Sequence, residues 1–319
     1  MQELATDQEL LVRQMRQESD SVLSLSLERS DGGDLPPWTA GSHIDLHLPN
    51  GLVRQYSLCG DPRDARHWRL GVLREPASRG ASRYICDDLR PGALVAASAP
   101  RNNFGLVDGP FRCFIAGGIG ITPILPMIRA VEESGAAWSL CYGGRRRSSM
   151  AFLGELTGYG DRVRVLPEDE VGRLDIPRLL ADIPTGAAVY CCGPEGLLAA
   201  VESAMQQRPD LSLHIERFAA RPVRPEDGSG SESFRVQLQR SGLSFDVPEG
   251  RSILDLLEDA QVFVPSACRE GVCGSCETAV LSGAVDHRDS VLSPAEQATN
   301  STMLVCVSRA VSDELVLDL

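Results

Sequence analysis

The sequence predicts a multidomain protein: an antiparallel β-barrel, an α/β domain on a parallel sheet, and a small cysteine-bearing domain at the C-terminal end. Three observations predict it. Short apolar strands punctuated by turn residues run from the N-terminus to about Phe104. Strand and helix patterns alternate from about Gly109 to Ala219, the signature of a parallel sheet covered on both faces. A Pro-, Gly- and Ser-rich stretch from Arg221 to Ser231 then precedes a segment carrying Cys268, Cys273, Cys276 and Cys306 at the spacing C-x4-C-x2-C-x29-C. The predicted boundaries are 1–106, 107–220, a linker at 221–232, and 233–319.

Composition narrows the function. A length of 319 residues suffices for two or three cores, and 43% apolar with 24% charged residues is ordinary for a globular chain. The net charge of −13 disfavours nucleic acid as a partner, because phosphate binding needs the opposite sign. All 31 basic residues are arginines. The longest apolar candidate, Phe114 to Val131, is interrupted by Gly117, Gly118, Gly120, Pro123 and Pro126, so no membrane span is expected. Met1 to Asp20 lacks a basic region followed by an apolar one, which argues against a secretory signal. With ten cysteines in such a chain, a reducing, cytoplasmic setting and metal or redox use are expected. Cys59, Cys86, Cys113, Cys141 and Cys191 sit in apolar contexts and read as buried small hydrophobes.

In the first domain the expected strands are Ser21–Leu27, Ile44–Leu48, Arg54–Leu58, Arg69–Val72 and Leu94–Ala97. Alternation within Arg54-Gln55-Tyr56-Ser57 puts Arg54 and Tyr56 on one face and Ser57 on the other. Ser78-Arg79-Gly80-Ala81-Ser82 precedes an expected helix at Arg83–Leu89, and a helix start can bind phosphate.

In the second domain a strand at Arg112–Ala116 meets the turn Gly117-Gly118-Ile119-Gly120-Ile121-Thr122-Pro123, which opens a helix at Pro123–Glu133. Backbone amides and the positive helix end would face a pyrophosphate together, though the glycines also suit a plain tight turn. Strands follow at Trp138–Tyr142 and Ala187–Cys191, with helices near Phe152–Leu156, Ile176–Leu180 and Pro194–Gln206. Cys192-Gly193-Pro194 ends a strand at the sheet edge where such folds bind ligands. The second strand runs into Arg145-Arg146-Arg147, which suits either a 2′-phosphate or a solvated loop.

In the third domain Phe234–Leu238 and Leu243–Val247 flank Arg240-Ser241-Gly242 as a hairpin, and Ser252–Ala260 reads as a helix. Three thiolates then crowd one loop, where Gly271 and Gly274 permit tight curvature. Cys306 is expected on a strand at Leu304–Val307. Such spacing suits a [2Fe–2S] cluster, whereas zinc modules pair two short C-x2-C units and only one is present.

With these residues in view, the last 85 or so positions resemble plant-type [2Fe–2S] ferredoxins, a β-grasp fold, including Arg269 within the loop. The glycine turn with Cys192-Gly193-Pro194, and Arg54-Gln55-Tyr56-Ser57, resemble the nucleotide and flavin motifs of the ferredoxin–NADP reductase superfamily. Ala81 departs from the glycine usual in that phosphate loop. The order of the three modules is similar to that of the phthalate dioxygenase reductase family, which includes vanillate demethylase and phenoxybenzoate dioxygenase reductases.

The resemblance implies FMN, with Arg54 meeting its phosphate, Tyr56 its ring system and Ser57 a polar edge. Arg79, Gly80, Ala81 and Ser82 would complete the phosphate site, and Phe218 would close over the flavin. Gly117, Gly118, Gly120, Ile121, Thr122, Pro123, Cys192, Gly193 and Pro194 would line the nicotinamide nucleotide, with Thr122 and Cys192 nearest the reacting rings. The resemblance favours NADH over NADPH and implies a Rieske-type oxygenase as electron acceptor. Two other readings are a reductase for another acceptor such as a cytochrome P450, and a non-enzymatic iron–sulfur carrier.

Overall fold

The computed structural model describes residues 8–76, 80–219 and 233–319. Two compact units divide it, Met1–Glu216 and Arg217–Leu319. Among the described residues no helix is long and apolar enough to cross a membrane.

The first unit opens with β1 (Gln8–Ser19), β2 (Val22–Arg29), β3 (His43–His47), β4 (Val53–Ser57), β5 (Trp68–Leu73), α1 (Ala81–Asp87) and β6 (Leu94–Ala97). The strands form one antiparallel sheet in the order β4-β3-β6-β1-β2-β5. Its edges meet through a Leu58–Leu70 bridge, which curls the sheet into a barrel. Leu10, Leu25, Ile44, Leu46, Trp68 and Leu70 fill the interior and are fully buried.

The same unit continues with β7 (Phe111–Gly117), α2 (Ile121–Ser134), β8 (Ala137–Gly144), α3 (Leu153–Leu156), β9 (Val163–Pro167), α4 (Glu168–Val171), α5 (Ile176–Ala181), β10 (Ala188–Cys192), α6 (Glu195–Met205) and β11 (Ser212–Glu216). The sheet is parallel throughout, in the order β11-β10-β7-β8-β9. Period-two alternation explains its two cores. Phe114, Tyr190 and Cys192 face α2, whereas Cys113, Val189 and Cys191 face α5 and α6. Glu155 joins barrel to sheet by accepting both Arg69 of β5 and Arg129 of α2.

The second unit contains β12 (Phe234–Leu238), β13 (Ser244–Val247), α7 (Ile253–Asp259), β14 (Glu277–Ser282), β15 (Val285–Asp286), α8 (Pro294–Thr299), β16 (Thr302–Leu304), β17 (Arg309–Ala310) and β18 (Glu314–Leu317). Its five-stranded sheet runs β13-β12-β18-β14-β16, with β12 and β18 parallel. Helix α7 packs Ile253, Leu254 and Leu257 into its core, and Ser252 with Asp255 caps it reciprocally. This mixed sheet grasping one helix fits the expected β-grasp.

Several elements differ from the sequence expectation. The segment read as polar carries the twelve-residue strand β1, in which Leu10 and Val12 are the buried residues. Its later side chains are exposed or half-buried, and two bulges interrupt its register, so alternation is weak. Strands β9 and β11 were not expected either. Cys306 lies in the turn after β16 and not on a strand. The expected linker, 221–232, lies outside the described residues.

Candidate functional site

Strands β7, β8 and β9 are laid down to one side, and the chain then returns to place β10 and β11 on the other. The order reverses between β7 and β10, and in open α/β sheets ligands bind beyond the carboxyl ends of strands at such a point. The turn after β7 and the Cys192-Gly193-Pro194 turn after β10 both end there. They touch backbone to backbone. A Cβ on Gly120 would stand 2.2 Å from the Cys192 carbonyl oxygen, so this approach requires glycine. Gly117 ends β7, Gly118–Gly120 forms a 3-10 turn, and Ile121, Thr122 and Pro123 make the buried first turn of α2. The Thr122 hydroxyl donates to the Ile119 carbonyl at 2.9 Å, and its methyl packs against Gly71 of β5.

The barrel brings β4 to this region. His43 pairs with Ser57 and Ile44 with Tyr56 across β3 and β4. Ser57 therefore shares a face with His43, while Tyr56 and Arg54 lie on the other, as alternation predicts. Ser57 is buried, and burial keeps the Tyr56 phenol protonated far into the alkaline range. The Arg54 guanidinium is half-buried and donates to the Val53 carbonyl at 2.7 Å.

A residue overlooked in the sequence completes the cluster. Glu216, at the end of β11, has Oε2 3.9 Å from the Cys192 sulfur. Burial pushes its carboxyl up to about 8, and contacts with the Ser57 hydroxyl and the Cys192 thiol offset only part of that rise. The Cys192 thiol is raised well above its ordinary value, first by burial and then by Glu216. Barrel, β10 and β11 thus converge three polar side chains, all neutral at pH 7. An acid ending a strand at the sheet edge was the available signal, but it needed β11 to be recognised.

Of the expected phosphate loop, Ser78 and Arg79 lie outside the described residues. Gly80 precedes α1 with φ 109°, Ala81 is buried in its first turn, and the Ser82 hydroxyl accepts from the Glu75 amide at 3.3 Å. Phe218 follows β11 into the second unit and is 41% exposed.

The second unit carries the four cysteines. Cys273, Cys276 and Cys306 are buried, and Cys268 is half-exposed. Among the described residues no three or more His, Cys, Asp or Glu side chains converge to hold a single ion. The sulfurs instead adjoin in a row, Cys273 beside Cys268, Cys268 beside Cys306 and Cys306 beside Cys276. Cys268 raises the Cys273 thiol, with burial adding to it. At Cys306, Cys268 draws the thiol down, while Cys276 and burial outweigh it and push it up to about 12. Four thiols in a row, with no three converging among the described residues, suit a two-iron core, in which each tetrahedral iron takes two thiolates, better than one zinc ion. Arg269, at φ 56°, ties the loop to α7 through ion pairs with Asp255 and with Glu258, the latter at 2.7 Å.

A curled barrel, a parallel nucleotide-type sheet and a ferredoxin fold with four adjoining thiols define an iron–sulfur oxidoreductase of the reductase class. Residues 236–311 match the model of the 2Fe-2S iron-sulfur cluster binding domain. The chain is 45% identical over 303 residues to the phenoxybenzoate dioxygenase subunit beta of Ectopseudomonas oleovorans, covering 94% of each. It is similar to the solved phthalate dioxygenase reductase, a modular structure for electron transfer from pyridine nucleotides to [2Fe–2S], at TM-score 0.72 and 37% identity over 98% of both chains. It is also similar to part of an intact type IV self-sufficient cytochrome P450 monooxygenase, at TM-score 0.91 and 42% identity, spanning 41% of that longer chain. The chain belongs to the phthalate dioxygenase reductase family.

Proposed function

We propose that this reductase takes electrons from NADH through FMN and a [2Fe–2S] cluster and delivers them singly to a separate Rieske-type oxygenase. The observation that carries it is the meeting of Ser57, Cys192 and Glu216 at the sheet's switch point. Bound there, the nicotinamide and flavin supply two-electron hydride chemistry, and the cluster supplies the one-electron outlet.

The chain's residues position these groups. The turn from Gly117 to Pro123, with Cys192, Gly193 and Pro194, shapes the nucleotide side of the cleft. Arg54 offers a cation for a phosphate, Tyr56 a ring face, and Ser57 a hydroxyl at the polar edge; Gly80, Ala81 and Ser82, with Arg79, extend the phosphate side. Phe218 is assigned to cover the flavin. Glu216 keeps its proton on the carboxyl at neutral pH and Cys192 keeps its thiol proton. The cleft is then free of the negative charge that would oppose electron uptake. Thr122 stays bonded to the Ile119 carbonyl and fixes the first turn of α2. Cys268, Cys273, Cys276 and Cys306 hold the cluster.

FMN is the reading the family resemblance implies. NADH is supported by the loop after β8, where Arg147 is engaged by Glu170 at 2.8 Å beside Glu168 and Asp169. A 2′-phosphate would meet these acids. A Rieske acceptor is downhill: about −400 mV for a plant-type cluster against about −150 mV or above leaves roughly 250 mV, about 6 kcal/mol for one electron. Four cysteines at cluster spacing in a ten-cysteine chain suit a reducing cytoplasm, where thiols serve metal and redox chemistry. The likeness to a P450 segment favours a P450 acceptor as the second reading. Family membership among reductases sets the non-enzymatic carrier aside.

Anaerobic addition of NADH to cofactor-replete protein tests the proposal. It should bleach the flavin and then reduce the cluster, and addition of oxidised Rieske oxygenase should restore the cluster spectrum. Bleaching by NADPH alone, or re-oxidation by a P450 but by no Rieske protein, would overturn it.

A further inference from the structure

The segment after β15 contains two buried ionisable side chains that no step above uses. The His287 side chain is 8% exposed and that of Asp289 fully buried, with Nδ1 of the imidazole 3.6 Å from Oδ1 of the carboxylate. Neither ring nitrogen, nor that Oδ1, has a hydrogen-bond partner. Leaving such groups unpaired in a core is costly unless their placement matters.

The other carboxylate oxygen has a defined task. Asp289 Oδ2 accepts from the amides of Val291 and Leu292, at 3.1 and 2.7 Å, which folds residues 289–292 into a rigid strap. The strap reaches both parts of the chain that carry thiols. Its Ser290 amide donates to the Gly271 carbonyl at 2.8 Å, inside the three-cysteine loop. At its start the Arg288 amide donates to the Ser308 hydroxyl at 3.3 Å, two residues past Cys306.

Gly271 is where these contacts meet. Its φ is +67°, and a Cβ there would stand 2.6 Å from Val307 Cγ2 and 3.1 Å from Asp289 Cα. Beside it, the Glu270 amide donates to the Cys268 sulfur at 3.3 Å. Amide hydrogen bonds to cluster sulfurs are one of the levers that set reduction potential. Gly271 is therefore gripped at its carbonyl by the strap, one residue from an amide aimed at a ligand sulfur.

We propose that His287 and Asp289 are positioning residues for the cluster: the imidazole seats the Asp289 carboxylate, the carboxylate shapes the strap, and the strap holds the loop at Gly271 so that the adjacent Glu270 amide meets the Cys268 sulfur. This rests on the [2Fe–2S] reading of the four cysteines.

The test uses the full-length holoprotein and the variants H287Q and D289E. Glutamine keeps polarity without the ring; glutamate keeps the charge but moves it by one methylene. Iron and sulfide content, the electron paramagnetic resonance of the reduced cluster, and the reduced-to-oxidised ratio at one fixed mediator potential are measured. In H287Q, with iron retained, the ratio should fall about tenfold, equivalent to about 59 mV for one electron, with shifted g-values. NADH reduction of the flavin should keep its wild-type rate. D289E should move the ratio the same way where it keeps its iron. A lowered melting temperature with the ratio within twofold of wild type and unchanged g-values in H287Q would make the pair merely structural and overturn the proposal, whatever D289E does. Wild-type protein lacking iron and sulfide would fail the underlying reading instead, a separate result.

Discussion

The Cys192 sulfur lies 3.9 Å from the Glu216 carboxylate, joining the ends of two adjacent parallel strands, β10 and β11. The contact sits where strand order reverses. A barrel residue, Ser57, lies near the same carboxyl with no hydrogen bond joining them. The Glu216 carboxyl thus holds its proton where barrel and sheet meet.

That proton has a measurable consequence. Glu216 titrates at about 8 in the folded protein, above its unfolded value of about 4.3. The folded state therefore binds more protons between those values. The stabilisation is fully present below pH ~4.3 and is lost as pH rises through about 8, with a slope approaching about 1.4 kcal/mol per pH unit. Glu216→Gln should flatten this fall in urea unfolding measured from pH 6 to pH 9. An identical slope in both proteins would refute the assignment.

Gly120→Ala should destabilise the first unit by about 2–4 kcal/mol, because the new methyl meets the Cys192 carbonyl oxygen, a backbone atom that cannot rotate away. The urea midpoint reports it, and a wild-type midpoint would show that the two turns can separate at little cost.

Arg54→Ala should lower the flavin retained per chain after gel filtration, while leaving the iron content of the second unit unchanged. Full flavin occupancy would remove Arg54 from the phosphate site.

Glu170→Gln should release Arg147 from its ion pair and raise the NADPH-to-NADH ratio of kcat/KM by about tenfold, or about 1.4 kcal/mol. An unchanged ratio would show that the loop after β8 does not read the 2′ position.

Cys306→Ser should spare NADH reduction of the flavin and abolish one-electron output to an oxygenase. Stopped-flow absorbance separates the two steps, and loss of both would indicate a role for Cys306 in folding.

The sequence was most legible where chemistry and backbone share a short motif. Cysteine spacing, the glycine turn and Cys192-Gly193-Pro194 could be read directly, because each compresses its constraint into a few adjacent positions. Strand β1 was hidden because most of its side chains face solvent, and a strand is recognised by what it buries. Glu216 was hidden because its role depends on β11 lying beside β10, a long-range pairing that local pattern does not encode. The His287–Asp289 pair escaped notice because a short polar loop gives no sign that it will be buried.

Asp255 serves two neighbours at once. It closes the cap of α7 with Ser252 and also receives Arg269 from the cysteine loop. The loop therefore shares an anchor with the helix. One carboxylate joins the turn that presents the thiols and the start of α7 into a single mechanical piece, so that a disturbance at either end is felt at the other.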